Sequence, residues 1–564
     1  MSLSPDSKLP TRSQALIFNS KVKVLRFRRS IQNAVRPVPR LAHSGSTAEH
    51  VIAASATPLW SENDPSEQRL QLGKVHNLRL VCRAIDGLVL RPDEVFSFWR
   101  QVGNPSRRRG FVPGRQIQEG CVIPAIGGGI CQLSNALYAC ALDSGCEVVE
   151  RHPHTRALSA ASWSLGRDAT VAWNHIDLRF RASIPIKIQA KLTGDQLDVK
   201  FLSDGRAQVA KDSVRGLRLI QDAESCETCG QGGCFRHGTL DRNELRPKTA
   251  FVVNQVWPEF ALYMKENRAV SDPVFAPVDG TRRHRPRYAW PTDGAANEAL
   301  LLYLFKGLRC RSLQGAALRS ATMEFEACFA DDLGRRMPFD AQHCVVSLSL
   351  LPHLWRSGWL GGRSFDVIAD RLPIAELQSL LDGAYESHPE RGLLADFRAP
   401  AAVAEAEIEA LAAADHIITP SAYVAEVFGD RAVLLTWSTP AMLDLTRGDR
   451  IAFPGPTAAR KGAYEVREVA RRLGLTIALS GSELEGAGFW EGVSTIRAGP
   501  NWMHGCRAVL HPAIVEEQPR KLLQAIASGL PVIATEVCGL GAREGVTTVP
   551  AGDIDALVSA IVNL

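Results

Sequence analysis

Gly127-Gly-Gly-Ile-Cys131-Gln-Leu-Ser-Asn-Ala-Leu-Tyr138 sets a thiol directly after a triple-glycine turn and at the head of an apolar-periodic segment. Leu133, Leu137, Cys140 and Ala141 recur at i, i+4, i+7 and i+8, the spacing of one helix face, and Gly145 is available to end the helix. The spacing predicts Cys131 at a helix N-terminus, where unpaired amides and the helix dipole favour a thiolate. Consecutive glycines give up backbone entropy and mark a tight turn or a close approach of another segment.

Working outward, Glu147-Val-Val-Glu-Arg-His152-Pro-His154 reads as a strand ending in two histidines. Downstream, Asp168 and Asp177 offer carboxylates that can orient an imidazole, which would complete a Cys-His-Asp arrangement. The plainer alternative stands beside it: a free cysteine is often a small buried hydrophobe, and histidines flanking Pro153 can satisfy backbone groups in a turn.

Five segments in order resemble the VanW family: Val95-Phe-Ser-Phe98, Gly127 to Ser134, Glu150-Arg-His-Pro-His154, Gly166-Arg-Asp-Ala-Thr170 and Asp177-Leu-Arg-Phe180. The resemblance implies an α+β domain over residues 15–205, with Cys131, His152, His154 and Asp168 in matching motif positions. Residues 1–14 are expected to be a disordered N-terminus.

A chain of 564 residues with 45% hydrophobic content can bury the cores of about three to four domains. Its 65 basic and 60 acidic residues nearly balance, so the overall field of a nucleic-acid binder is lacking and no nucleic-acid partner is expected. Lys21-Val-Lys-Val-Leu-Arg-Phe-Arg-Arg29 and Arg107-Arg-Arg109 are local basic clusters, read as solvated surface or contacts to anionic substrates. No run reaches the roughly 18 apolar residues needed to cross a bilayer, and the N-terminus lacks the pattern of a secretory leader. A cytoplasmic location is expected, with peripheral membrane contact left open. The 13 cysteines then read as thiols, ligands or catalysts rather than disulfides.

Cys226-Glu-Thr-Cys229-Gly-Gln-Gly-Gly-Cys234-Phe-Arg-His237 brings four soft ligands into a glycine-rich loop within residues 206–245. The C-x2-C-x4-C-x2-H spacing suits tetrahedral zinc, with an iron–sulfur cluster on the three cysteines as the competitor. An unliganded loop or a redox pair on Cys226 and Cys229 is the third reading.

From residue 249 apolar strands alternate with helices, the signature of parallel sheets covered on both faces. Strands are expected at Thr249–Asn254, Val345–Leu351, Arg363–Pro373, Asp415–Ser421, Ile451–Pro456, Thr476–Gly481, Ala508–Pro512 and Pro531–Thr535, with helices at Glu405–Ala414, Pro519–Ser528 and Asp553–Val562. Ligands in doubly wound sheets bind beyond the carboxyl ends of the strands, where Arg460, Lys461, His511 and Glu516 would fall.

Asp415-His-Ile-Ile-Thr-Pro-Ser421, Arg460-Lys-Gly462 and Glu516 to Ala534 resemble the carboxyl half of retaining GT-B glycosyltransferases. The resemblance implies a nucleotide-sugar donor, an Arg-Lys pair on its diphosphate, and two acidic positions contacting sugar and ribose. Glu516 occupies the first of these. Gln524 stands at the second, keeping hydrogen-bonding capacity without charge. Asn254-Gln-Val-Trp257 replaces the glycine-rich opening loop many such enzymes carry.

The expected architecture is therefore multidomain: an α+β VanW-like domain (15–205), a short Cys-rich metal knuckle (206–245), and an α/β GT-B pair of Rossmann-like halves (246–430 and 431–564). The expected function is transfer of sugar from a nucleotide-sugar to a glycan or cell-envelope precursor acceptor. The rivals are a Cys/His acyl transferase or hydrolase carrying a binding-only second half, and a non-enzymatic binding protein.

Overall fold

A computed structural model describes residues 11–43, 48–60, 67–118, 121–154, 156–157, 167–204, 221–222, 224–225, 234, 248–396, 398–499 and 501–564. The chain divides into two compact units. Met1–Lys248 with Arg335–Gln342 and Ser357–Ser364 form the first; Thr249–Gly334, His343–Arg356 and Phe365–Leu564 form the second.

The first unit opens on the helix Arg12–Val35, started by a capping box in which Thr11 Oγ1 accepts from the Gln14 amide (3.2 Å) and Gln14 Oε1 from the Thr11 amide (3.0 Å). The expected disordered N-terminus thus reaches too far, because residues 12–14 are already helical. A four-stranded antiparallel sheet follows, in the order Val51–Pro58, Gln196–Leu202, Ile186–Leu192, Val89–Leu90. Leu197, Val199 and Phe201 alternate along one face of it and are fully buried, as a strand with one covered face requires. The helices Gln68–Ile85 and Cys131–Asp143 pack on this sheet.

Between these helices, Pro113–Gln118 and Cys121–Ile126 form an antiparallel hairpin that runs straight into the glycine turn. Gly127 and Gly129 sit at φ +76° and +92°, which L side chains rarely adopt. Gly128 has an ordinary φ but no room: a Cβ there would lie 2.3 Å from the Gly114 carbonyl. Asn77, wholly buried on the helix Gln68–Ile85, donates to the Gly128 (2.9 Å) and Val112 (3.0 Å) carbonyls and accepts from the Val112 amide (3.0 Å). One buried amide thereby fixes where the helix carrying Cys131 begins.

The second unit holds two sheets. One has seven strands in the order Asn297–Glu298, Val274–Ala276, Lys248–Val252, Ala341–Ser347, Ser364–Ile368, Ile417–Thr419, Ala432–Leu434. The other has six parallel strands in the order Ser494–Arg497, Thr476–Leu479, Arg450–Phe453, Cys506–His511, Val532–Thr535, Val546–Val549. Counted from each sheet's first strand, both begin 3-2-1-4-5-6, the doubly wound order in which neighbouring loops diverge between strands 1 and 4 and leave a crevice. The expected strand Val345–Leu351 is shorter than its apolar run: it ends at Ser347, and Leu351–Arg356 is a helix with Pro352 in its first turn, where a missing amide hydrogen costs nothing.

The halves of this unit are joined by Arg520, whose guanidinium forks onto both Glu259 carboxylate oxygens (2.7 and 2.6 Å) and lies over the rings of Trp257 and Trp437. Glu259 is buried and also accepts from the Ser438 amide at 2.7 Å, so its charge is fully met.

Substituting Gly128→Ala places a methyl against the Gly114 backbone. It is expected to destabilise the first unit by roughly 2 kcal/mol or more, read as a lower thermal midpoint; an unchanged midpoint would show that the turn yields.

Candidate functional site

In the first unit, the helix Cys131–Asp143 starts at the candidate nucleophile. The Cys131 thiol donates to the Val171 carbonyl at 3.7 Å and is hydrogen-bonded to His154. His154 Nδ1 meets Asp168 Oδ2 at 3.1 Å, and the same carboxylate oxygen accepts from the His154 amide at 2.5 Å. Asp168 is itself held by Arg151, which donates to Oδ1 (2.9 Å) and to the Asp168 carbonyl (2.8 Å).

Burial opposes charge on each member, and their contacts override it. Burial raises the Cys131 thiol, but the hydrogen bond and charge of His154 bring its pKa below the ordinary value. Burial lowers the imidazole, but hydrogen bonds with Asp168 and Cys131 push His154 up to about 9. Asp168 stays below the usual carboxylate range against its burial, through His154 and the Arg151 charge. The contacts shift Cys131 toward its thiolate and His154 toward its imidazolium, each relative to the free side chain.

Of the two histidines read from the sequence, the structure selects one. His152 is exposed and turns to Glu150 Oε1 at 3.4 Å, away from the trio. Residues two apart on an extended segment share a face, which is how Glu150 captures His152, while Asp168, arriving from another segment, takes His154. Two supports escaped the sequence reading: Asn135 Oδ1 accepts from the Ala169 amide (2.7 Å) and Ser134 Oγ donates to the Ala169 carbonyl (2.6 Å), tying the Asp168 segment to the cysteine helix. Their place one turn beyond Cys131 on a buried face was the available signal.

In the second unit, the crevice of the six-stranded sheet lies between Arg450–Phe453 and Cys506–His511. Gly462, at φ +79°, lets the loop after the first strand press on the loop after the fourth: a Cβ would sit 2.2 Å from the Pro512 carbonyl oxygen. Lys461 Nζ then donates to Glu516 Oε2 (3.0 Å) and to the Val515 carbonyl (2.8 Å). His511, the last residue of its strand, brings Nε2 to the same carboxylate oxygen at 2.8 Å. Glu516 Oε1 accepts from the amides of Glu517 and Gln518, each at 3.1 Å. Burial would raise this carboxyl; the His511 hydrogen bond and Lys461 charge hold it well below the usual range instead. His511 Nδ1 is buried with no hydrogen-bond partner among the described residues.

Arg460 joins the loop through its carbonyl, which accepts from the Ile514 (3.0 Å) and Val515 (3.2 Å) amides; no described residue hydrogen-bonds its guanidinium. Gln524 does not join the Glu516 cluster. It lies on the helix Arg520–Ala527 and accepts from the Trp502 indole at 3.4 Å.

The corresponding crevice of the seven-stranded sheet holds a polar cluster of which sequence reading named only Asn254, in place of a glycine-rich loop. Asn254 Nδ2 donates to Ser349 Oγ (3.0 Å) and Glu326 Oε1 (3.4 Å), its amide donates to Ser347 Oγ (2.9 Å), and Ser349 Oγ donates to Asp370 Oδ2 (2.6 Å). Burial raises Glu326 to about 7 and Asp370 to about 6. Carboxyls so placed can take or give a proton near neutrality. The histidines near this sheet do not share the cluster: His343 pairs with Asp366, and burial lowers His353 to about 4.

Of the proposed knuckle, Cys226, Cys229 and His237 lie outside the described residues. No group of three or more His, Cys, Asp or Glu placed to hold a metal ion occurs among the described ones.

Residues 73–202 match the family described as VanW like protein, and residues 476–564 match Glycosyl transferases group 1. Over 130 residues the chain is 38% identical to the uncharacterized protein YoaR of Bacillus subtilis (strain 168), covering 23% of this chain and 42% of that protein. It is 25% identical over 214 residues to the vancomycin B-type resistance protein VanW of Enterococcus faecalis (strain ATCC 700802 / V583), covering 37% of this chain and 75% of that protein. Similar solved structures include the lipopolysaccharide outer core galactosyltransferase WaaB in its apo form (13% identity, TM-score 0.32, 55% of this chain and 88% of that one). Sucrose-phosphate synthase from Thermosynechococcus elongatus is another (14% identity, TM-score 0.33, 56% and 89%). The chain thus carries a VanW domain and a group 1 glycosyltransferase domain.

Replacing Asp168→Asn removes the charge that keeps His154 protonated. The alkylation rate of Cys131 by iodoacetamide at pH 7 is expected to fall about tenfold, and its pH midpoint to rise toward the ordinary thiol range. Identical profiles for variant and parent would contradict the coupling.

Proposed function

We propose that the second unit transfers a sugar from a nucleotide-sugar donor to a glycan or cell-envelope acceptor. The reading is carried by one observation: Lys461 meets His511 and Glu516, the latter two inside the group 1 glycosyltransferase match, at the strand-order reversal of the sheet, beside an Arg460 guanidinium without a hydrogen-bond partner among the described residues. In this reading the bond between the anomeric carbon and the donor phosphate breaks, and one from that carbon to an acceptor oxygen forms. The negative charge passes to the nucleoside diphosphate, which Arg460 and Lys461 receive. The acceptor proton leaves with the phosphate or with a carboxylate of the facing crevice. Glu516, kept ionised, accepts hydrogen bonds from donor-sugar hydroxyls, and Gln524 provides a neutral contact further along the donor. Retention of anomeric configuration is the outcome expected from the family resemblance.

A second activity is supported by the contact of thiol, imidazole and carboxylate in the first unit. The Cys131 thiolate would attack an acyl carbonyl, His154 would protonate the departing group, and water or an amine would release the acyl chain from sulfur. The resistance protein VanW is similar to this region, which favours a peptide- or glycan-bearing envelope precursor as the substrate.

Nucleotide release from a panel of nucleotide sugars separates the two. Wild type and Cys131→Ala are expected to turn over alike, while Glu516→Ala loses on the order of a hundredfold or more in rate. Turnover by none would leave a binding protein, and loss with Cys131→Ala alone would move the chemistry to the thiol.

A further inference from the structure

The helix Arg12–Val35 is mounted the opposite way round from a helix of a globular core. Its polar side faces the protein: Arg26 Nε donates to the Trp173 carbonyl (3.1 Å), Arg29 donates to Glu150 (2.9 Å) and to the His175 carbonyl (3.2 Å), Asn174 donates to Ser30 Oγ (2.7 Å), and Arg179 donates to Asn33 Oδ1 (2.9 Å). Residues 26, 29, 30 and 33 form one face by helical spacing. None of the 24 residues is buried.

The opposite face carries Leu16, Val24, Phe27, Ile31 and Val35, which lie in one row and are 69, 68, 70, 50 and 72% exposed. That row runs about 28 Å along the helix at 1.5 Å per residue. A globular helix turns such a row inward. Flanking it are Lys21 and Arg28 on one side and Lys23 on the other, all exposed and without hydrogen-bond partners among the described residues. The helix holds six basic residues and no acidic one. Long basic side chains beside an apolar row can lay their stems along it and lift their charges to a surrounding layer of anions.

We propose that Arg12–Val35 docks the protein on an anionic lipid surface, lying in the plane of the interface with Leu16, Val24, Phe27, Ile31 and Val35 immersed. Charge selects this occupant: a stripe edged on both sides by cations, with no acid to repel phosphate, complements anionic headgroups over acyl chains. The helix lies on the bilayer rather than through it, because no described helix is long and apolar enough to span one. The docking requires neither proposed chemistry.

The test is co-sedimentation of the full chain with vesicles of phosphatidylcholine alone and with about one third phosphatidylglycerol. Binding is expected to the anionic vesicles, to weaken with added salt, and to fall about tenfold or more in Phe27→Asp/Ile31→Asp and in Lys21→Glu/Lys23→Glu/Arg28→Glu. An unchanged thermal midpoint and Cys131 alkylation rate would show that these exposed substitutions leave the fold intact. Failure of the wild type to bind either vesicle, or equal binding by the variants, overturns the proposal. So does a solution dimer that Phe27→Asp/Ile31→Asp dissociates without any vesicle binding, which would assign the row to a second copy of the chain.

Discussion

The carboxylate of Glu516 is the point on which the glycosyltransferase-like half turns. It stands where two loops leave a parallel sheet in opposite directions, and it holds both: Lys461 from one, His511 from the end of the other's strand, and two successive amides of its own loop. A buried anion with that many donors stays ionised, and the donors stay aimed at one place. Parallel sheets create such places by topology alone, since strands 1 and 4 send their following loops apart. What this chain adds is the lining of cations and one preorganised acid, with Gly462 allowing the backbones to meet.

The first unit solves a related problem with the charges exchanged. There an anion, Asp168, organises a cation, His154, which in turn stabilises a thiolate at a helix start. Arg151 on Asp168 and the Ser134 and Asn135 bonds to Ala169 keep the carboxylate from wandering. The glycine turn and Asn77 set where the sulfur emerges. The site is thus built from contacts distant in sequence around one helix terminus, and its polarity depends on the completeness of that ring of partners.

Much of this was legible in the sequence, for reasons that differ by element. The helix carrying Cys131 announces itself by an apolar period, and the central strands of the doubly wound half by apolar runs that only burial on both faces explains. Ser494–Arg497 and Val546–Val549 sit at sheet edges, mostly exposed, and leave no such run, so they passed unread. Spacing could not choose between His152 and His154, because the choice is made by Asp168 arriving from another segment. The Asn254, Ser349, Asp370 and Glu326 cluster was equally hidden, being assembled from three strand ends and a helix. Lys21 to Arg29 reads as a basic patch, but which side of its helix meets the protein is decided by acceptors in residues 150–175.

The account of the second unit stands or falls on its crevice receiving a diphosphate, and calorimetric titration with a nucleoside diphosphate measures this directly. Binding of one equivalent, weakened about tenfold or more by Lys461→Ala and by Arg460→Ala and absent for the unphosphorylated nucleoside, is the result predicted. Equal affinity for the parent chain and both variants would contradict it.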